Sequence, residues 1–200
     1  MRDYLDLIKM KNNEEVEKLA RKIISELKPF CKKIKIVGSI GRHEKKHVDI
    51  DIVLIPKDRK KLEDFMKTQG KFLQGGEHES TWKVKYEQKT GNFLTNSAPD
   101  LARAIDKKIY SLPRSRSPKR GRVKGIQIEL YYTNEKEWGA ELLAYSSSKG
   151  SAIGLRVIAK KKGLHLTQHG LFKGKKRIAG KTEKEIYRAL GRKYKKLEDR

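Results

Sequence analysis

The sequence predicts an α+β fold: a sheet lobe with flanking helices, followed by a small, mainly helical C-terminal lobe. Three observations carry that prediction. Apolar and polar residues alternate at period two in Lys32–Val37, Asp49–Ile55 and Ile126–Tyr132. Val16, Leu19, Ala20, Ile23, Ile24 and Leu27 instead recur at helical spacing, and helical patterns return in the last third of the chain. The length of 200 residues suits one compact domain or two small lobes.

Taken in order, the first helix is expected to have Asn12 and Asn13 as caps, Glu15 in its first turn and Pro29 just beyond its end. Ile34 and Ile36 alternate with Lys33 and Lys35 in a strand that runs into Gly38, and a second strand from Asp49 is closed by Pro56. Leu62, Phe65 and Met66 predict a short helix. Trp82, Val84 and Tyr86 alternate as a strand does, and Pro99 is placed to open a helix carrying Leu101, Ala104 and Ile105. Residues 111–122, SLPRSRSPKRGR, read as a loop or hairpin tip. In the following strand Ile126, Ile128, Leu130 and Tyr132 face one side, and Gln127, Glu129 and Tyr131 the other. Helices are expected at 135–143 and 149–161, then a polar hairpin, HLTQHGLFKGKKRI, and a last helix from Thr182 with a Thr182/Glu185 capping box. The expected organisation is an N-terminal helical segment at 1–30 packed on a sheet lobe at 31–143, and a C-terminal lobe at 144–200.

Composition excludes several classes. Lys+Arg number 49 and Asp+Glu 25, a net charge of 49 − 25 = +24. Uncharged apolar runs such as Ile52–Ile55 are far shorter than the ~20 residues of a membrane span. Cys31 is the only cysteine, which rules out an internal disulfide and a Cys-based zinc site. The start, MRDYLDLIKMKNNEE, lacks the unbroken apolar stretch of a secretion signal. An intracellular monomer without membrane attachment is expected, in cytoplasm or nucleoid, or in a virion if the source is viral. The charge excess fits a polyanion partner better than a merely soluble surface, because the basic residues cluster.

Asp49 and Asp51 stand two apart in HVDIDIVLI, which puts both carboxylates on one strand face and Val48, Ile50 and Ile52 on the other. Asp is a poor strand former, and two acids this close repel unless a cation lies between them; hard oxygen pairs are what Mg²⁺ prefers. Eleven residues before Asp49, Gly38-Ser39 ends the preceding strand and Arg42 follows. Backbone N–H groups, a hydroxyl and a guanidinium there can hold a phosphate next to the metal-binding pair.

VGSIGR followed at this spacing by VDIDIVL resembles the signature of the nucleotidyltransferase superfamily, whose palm sheet carries G-S, then D-x-D, then a third carboxylate on a neighbouring strand. GLHLTQHGLFKGKKRIAGKTEKEIYRALGRKY resembles the thumb ending of family X DNA polymerases. The resemblance covers roughly residues 34–56 and 126–194, and is to the minimal viral members in that the chain begins at the palm; no lyase activity is expected. It implies that Asp49, Asp51 and Glu129 hold two Mg²⁺ ions, with Mn²⁺ as a substitute, and that Gly38, Ser39, Arg42, Tyr145 and Ser148 bind the incoming nucleoside triphosphate. Glu129 stands where the family has Asp, and Ala144-Tyr145-Ser146-Ser147-Ser148 where it usually has Tyr-Phe-Thr-Gly-Ser.

From Arg156 to Arg177 there are eight Lys or Arg and no acid. Arg156, which falls where the family contacts the template, with Lys160, Lys161, Lys162, Lys173, Lys175 and Lys176, are the expected DNA contacts. Arg114, Arg116, Lys119, Arg120 and Arg122 form a second candidate clamp. Each phosphate neutralised releases counterions, giving salt-dependent binding that is largely blind to sequence. His165 and His169 lack a third ligand and are not read as zinc ligands; Trp82 and Trp138 are read as core. The expected activity is Mg²⁺-dependent, template-directed extension of a DNA primer 3′ end, on a primer-template or in short-gap repair. The alternatives are template-independent addition to DNA or RNA ends, and a catalytically weak palm that binds nucleic acid.

Overall fold

The computed structural model describes residues 2–45, 47–86 and 124–199. The helix expected after Pro99 and the basic segment with Arg114, Arg116, Lys119, Arg120 and Arg122 lie outside them. The chain divides into two compact units, Met1–Val84 with Ile126–Arg200, and Lys85–Gly125. The elements below belong to the first or run to its boundary.

The fold is α+β. Five strands, β1 (Cys31–Ile36), β2 (Asp49–Pro56), β3 (Gly70–Gly75), β4 (Glu79–Tyr86) and β5 (Lys124–Tyr132), form one sheet in the order β1-β2-β5-β4-β3. β1 and β2 pair antiparallel, β2 and β5 parallel, β3 and β4 antiparallel. Ile50, Ile52, Ile128 and Leu130 are fully buried, so one face of the β2/β5 pair is core, each side chain contributing roughly 1.5–3 kcal/mol. Helix α1 (Arg2–Leu27) buries Val16, Ala20, Ile23 and Leu27 on its apolar stripe. A one-turn helix, α2 (Gly38–Gly41), follows β1. Helix α3 (Arg59–Gln69) is capped by Asp58, whose side chain accepts from Lys61 N–H, and it buries Leu62 and Met66.

The structure departs from the sequence pattern at three places. Asn12 and Asn13 are not caps, because α1 begins at Arg2; residues 2–11 contain neither Gly nor Pro, so nothing stops the helix earlier. β3 has no counterpart in that pattern: GKFLQG shows no clean alternation, and the strand forms by pairing Phe72 with Trp82 of β4. Val48 does not share the core face of Ile50; it precedes the strand and is 67% exposed.

The C-terminal portion begins with α4 (Trp138–Ser146) and α5 (Lys149–Lys161). The expected hairpin is a three-stranded sheet, β6 (His165–Thr167), β7 (Gly170–Lys173) and β8 (Lys176–Ala179), in the order β6-β7-β8. Helix α6 (Glu183–Ala189) has the predicted capping box, with Thr182 and Glu185 bonded reciprocally. Leu143, Leu155, Ala159, Leu166, Leu171, Ile186 and Tyr187 share one core. Glu137 ties the small sheet to the start of α4: its carboxylate accepts from Arg177 Nη2 at 2.5 Å and pairs with His169 Nδ1 at 3.0 Å.

Gly139 lets α4 lie directly against the cap of α6, since a Cβ there would sit 2.2 Å from the Thr182 carbonyl carbon. Gly139→Ala therefore forces the two helices apart and is expected to cost roughly 1–3 kcal/mol or more. Thr182→Ala removes only the cap, about 1 kcal/mol. Denaturant titration of both variants should rank Gly139→Ala below Thr182→Ala.

Candidate active site

The parallel register places Asp51 opposite Glu129 and Asp49 opposite Gln127. Asp49, Asp51 and Glu129 are all partly exposed, whereas Ile50 and Ile128 beneath them are buried. Three carboxylates thus share one sheet face. Burial first, then repulsion from Asp49 and Glu129, pushes the Asp51 carboxyl up to about 6, against a weaker pull from Tyr131 and Arg42. Asp49 is raised by burial and by Glu129.

Tyr131, two residues beyond Glu129, is the member to which the sequence pattern assigns no role, although alternation places it on this face. Its hydroxyl donates to Asp51 Oδ1 at 3.3 Å and, more closely, to Glu129 Oε2. Glu129 Oε1 accepts from Gln127 Nε2 at 2.7 Å. Burial foremost, with the bond to Glu129 and the charges around it, holds the Tyr131 phenol far above its ordinary value. Tyr131 stacks on Tyr145 at a ring separation of 3.6 Å and 20° between planes. Tyr145 is pushed up to about 12 by burial and by Glu141, Glu79, Glu129 and Asp51.

The Gly38-Ser39 turn reaches this face from the end of β1. Gly38 opens α2 with φ 61°, and a Cβ on it would lie 1.8 Å from Asp51 Oδ2, so only glycine fits over the carboxylate. Val37 N–H donates to the Asp51 carbonyl at 2.9 Å, fixing the turn against β2. Ser39 Oγ lies 3.3 Å from His47 Nδ1, and His47 Nε2 lies 3.3 Å from Glu17 Oε1 on α1. A carboxylate only accepts, so in the neutral ring Nε2 carries the proton and Nδ1 accepts from Ser39. Arg42 Nε donates to Glu44 Oε1 at 2.8 Å. Nothing in the local sequence marks His47, Glu17 or Glu44 for this site, and His47 and Glu17 stand thirty residues apart.

Among the described residues no group of three or more His, Cys, Asp or Glu side chains is arranged to hold a metal ion. The donor chemistry nonetheless fits a hard cation: Asp49 and Asp51 are neighbouring oxygen donors whose mutual repulsion a cation would relieve. Glu129 accepts one hydrogen bond on each oxygen, from Gln127 and Tyr131, and keeps a lone pair on each for a cation.

Ser148 caps α5, accepting from Ser151 N–H at 3.4 Å. Arg156, Lys160, Lys161 and Lys162 lie exposed on α5 and the turn after it, and Lys173, Lys175 and Lys176 around the β7–β8 turn. No ion pair joins any of them to an acid among the described residues, whereas Arg177 is committed to Glu137. Residues 141–200 match the family model described as DNA polymerase beta thumb. This segment is similar to the thumb of family X polymerases. The match supports a family X DNA polymerase, points to polymerase or nucleotidyltransferase function, and implies DNA binding. No match is found among curated proteins. No helix among the described residues is long and apolar enough to cross a membrane.

The carboxylate cluster makes stability depend on pH. Asp51 is raised in the folded chain, so the native state holds its proton more firmly than the unfolded one. The penalty for ionising it is absent below about pH 4 and complete above about pH 6, where it amounts to roughly 1–3 kcal/mol. Asp51→Asn should therefore raise the melting temperature at pH 7.5 and lose that advantage at pH 4. Added Mg²⁺ should stabilise the wild type at pH 7.5 and leave Asp51→Asn little changed.

Proposed function

We propose that the protein is a Mg²⁺-dependent DNA polymerase of the family X type that extends a primer 3′ end, template-directed and suited to short gaps. The observation that carries this reading is the Asp51–Glu129 pairing on adjacent parallel strands under the Gly38 turn, in a chain whose residues 141–200 match the DNA polymerase beta thumb model.

Asp49, Asp51 and Glu129 would hold the metal. When bound, Mg²⁺ supplies charge stabilisation to the attacking and leaving oxygens of an in-line displacement at the α-phosphate. Arg42 would offer its guanidinium to the triphosphate and Gly38 its backbone. Glu129 would draw the proton from the primer 3′-hydroxyl. Tyr145, stacked on Tyr131, would meet the nucleotide sugar. The cations of α5 and of the β7–β8 turn would track the phosphodiester backbone.

The engagement of both Glu129 oxygens favours a second reading, a palm of low activity kept for nucleic-acid binding. Primer extension separates the two. The wild type should extend a gapped duplex in Mg²⁺, and Asp51→Asn should lose roughly two to three orders of magnitude. Equal extension by both removes the carboxylate assignment, and retained DNA affinity with no incorporation in Mg²⁺ or Mn²⁺ favours the second reading.

DNA binding has its own test. Replacing Lys173, Lys175 and Lys176 by Gln should weaken duplex binding and flatten the plot of log affinity against log salt by about 0.9 for each phosphate no longer neutralised. An unchanged slope would remove the β7–β8 turn from the interface.

A further inference from the structure

The loop between α2 and β2 is held from three sides. Asn13 on α1 accepts from His47 N–H at 3.3 Å and donates to the Lys45 carbonyl. His47 is buried between Ser39 and Glu17. Glu44 N–H donates to the Ser39 carbonyl at 3.0 Å, across a reversal in which His43 takes φ 54°, a conformation few non-glycine residues adopt. That reversal returns the Glu44 side chain to Arg42, two residues back.

Glu44 meets Arg42 at Nε, the inner nitrogen of the guanidinium, at 2.8 Å. No hydrogen bond to the outer Nη groups is made by the described residues. Those Nη groups are the pair a phosphate grips in bidentate fashion. The Arg42 side chain is 15% exposed and that of Glu44 47%, so the arginine is enclosed and its carboxylate partner sits at the rim. Arg42 is the charged donor of this loop whose field reaches Asp51, where it favours the ionised carboxylate.

We propose that Glu44 is a positioning residue for Arg42: it holds the guanidinium by its inner nitrogen so that the outer pair is presented to the nucleoside triphosphate. This rests on the reading that Arg42 meets the triphosphate. The arginine is thereby ordered before the nucleotide arrives, and binding does not have to order it.

Charge alone gives the opposite expectation. Glu44 is an anion near a polyanion, and its removal should tighten nucleotide binding. Positioning predicts that Glu44→Ala weakens it, and that Glu44→Gln, which keeps the acceptor oxygen and drops the charge, binds at least as well as wild type. The experiment is calorimetric titration of the full chain with dATP in Mg²⁺, for wild type, Glu44→Ala, Glu44→Gln, Arg42→Ala and the Arg42→Ala/Glu44→Ala double variant. Thermal melts verify that each is folded. Glu44→Ala should raise the Kd roughly three- to ten-fold, Glu44→Gln should restore it, and Glu44→Ala should add nothing once Arg42 is absent. In primer extension the same loss should fall on KM rather than kcat, as for binding shared by ground and transition states.

Tighter or unchanged binding by Glu44→Ala overturns the proposal, as does a loss that Glu44→Gln shares or that persists without Arg42. If Arg42→Ala binds dATP as wild type does, the assignment of Arg42 to the triphosphate has failed, and the role of Glu44 falls with it. If instead Arg42→Ala loses binding while Glu44→Ala does not, only the positioning role is lost.

Discussion

The parallel pairing of β2 with β5 is the interaction on which the site depends. It joins Asp51 to Glu129, 78 positions further along the chain, with no hairpin turn to fix the register. What fixes it is the apolar underside. Ile50, Ile52, Leu54, Ile128 and Leu130 are each completely buried, and a one-residue slip would turn them outward and the carboxylates inward. Burial of five such side chains, roughly 1.5–3 kcal/mol apiece, outweighs the few kcal/mol that crowding three acids on the opposite face costs. The core under the sheet and the repulsion above it are two sides of one register.

The open face is short because α4 roofs the rest of it. Val37, Val53, Tyr131 and Leu142 pack as one cluster with Trp138 and Tyr145 at its margin, so β2 becomes buried on both faces from Val53 onward. Asp49 and Asp51 lie before that point. Tyr131 stands at the edge of the roof, its ring in the apolar cluster and its hydroxyl among the acids. Such a phenol can satisfy a carboxylate when no cation is at hand, and it is held by the ring of Tyr145.

Much of this is legible in the sequence, and the parts that are not share a cause. Period-two alternation locates β2 and β5, and T-E-K-E locates the start of α6, because those signals lie within a few residues of one another. The pairing of Asp49 and Asp51 with a third acid follows from a family resemblance, and the register of β2 and β5 then sets Glu129 beside Asp51. β3 escapes notice because its residues gain strand geometry from Trp82 and Val84 rather than from their own pattern. The N-terminus of α1 is misplaced because Asn13, a good cap by type, uses its amide on the loop at Lys45 and His47 instead. Likewise the Ser39–His47–Glu17 chain links residues whose only common property is that folding brings them together.

The close approach of Gly38 to Asp51 limits how this protein can vary. The two positions share a single space, and the positive φ of Gly38 narrows its replacements further. Neither residue can then drift alone. A chain that keeps the acid at 51 must keep glycine at 38, while one that has traded the acid for a smaller residue loses the clash and retains only the cost of the positive φ. A side chain at position 38 would thus be a sign that the carboxylate beneath it has been lost.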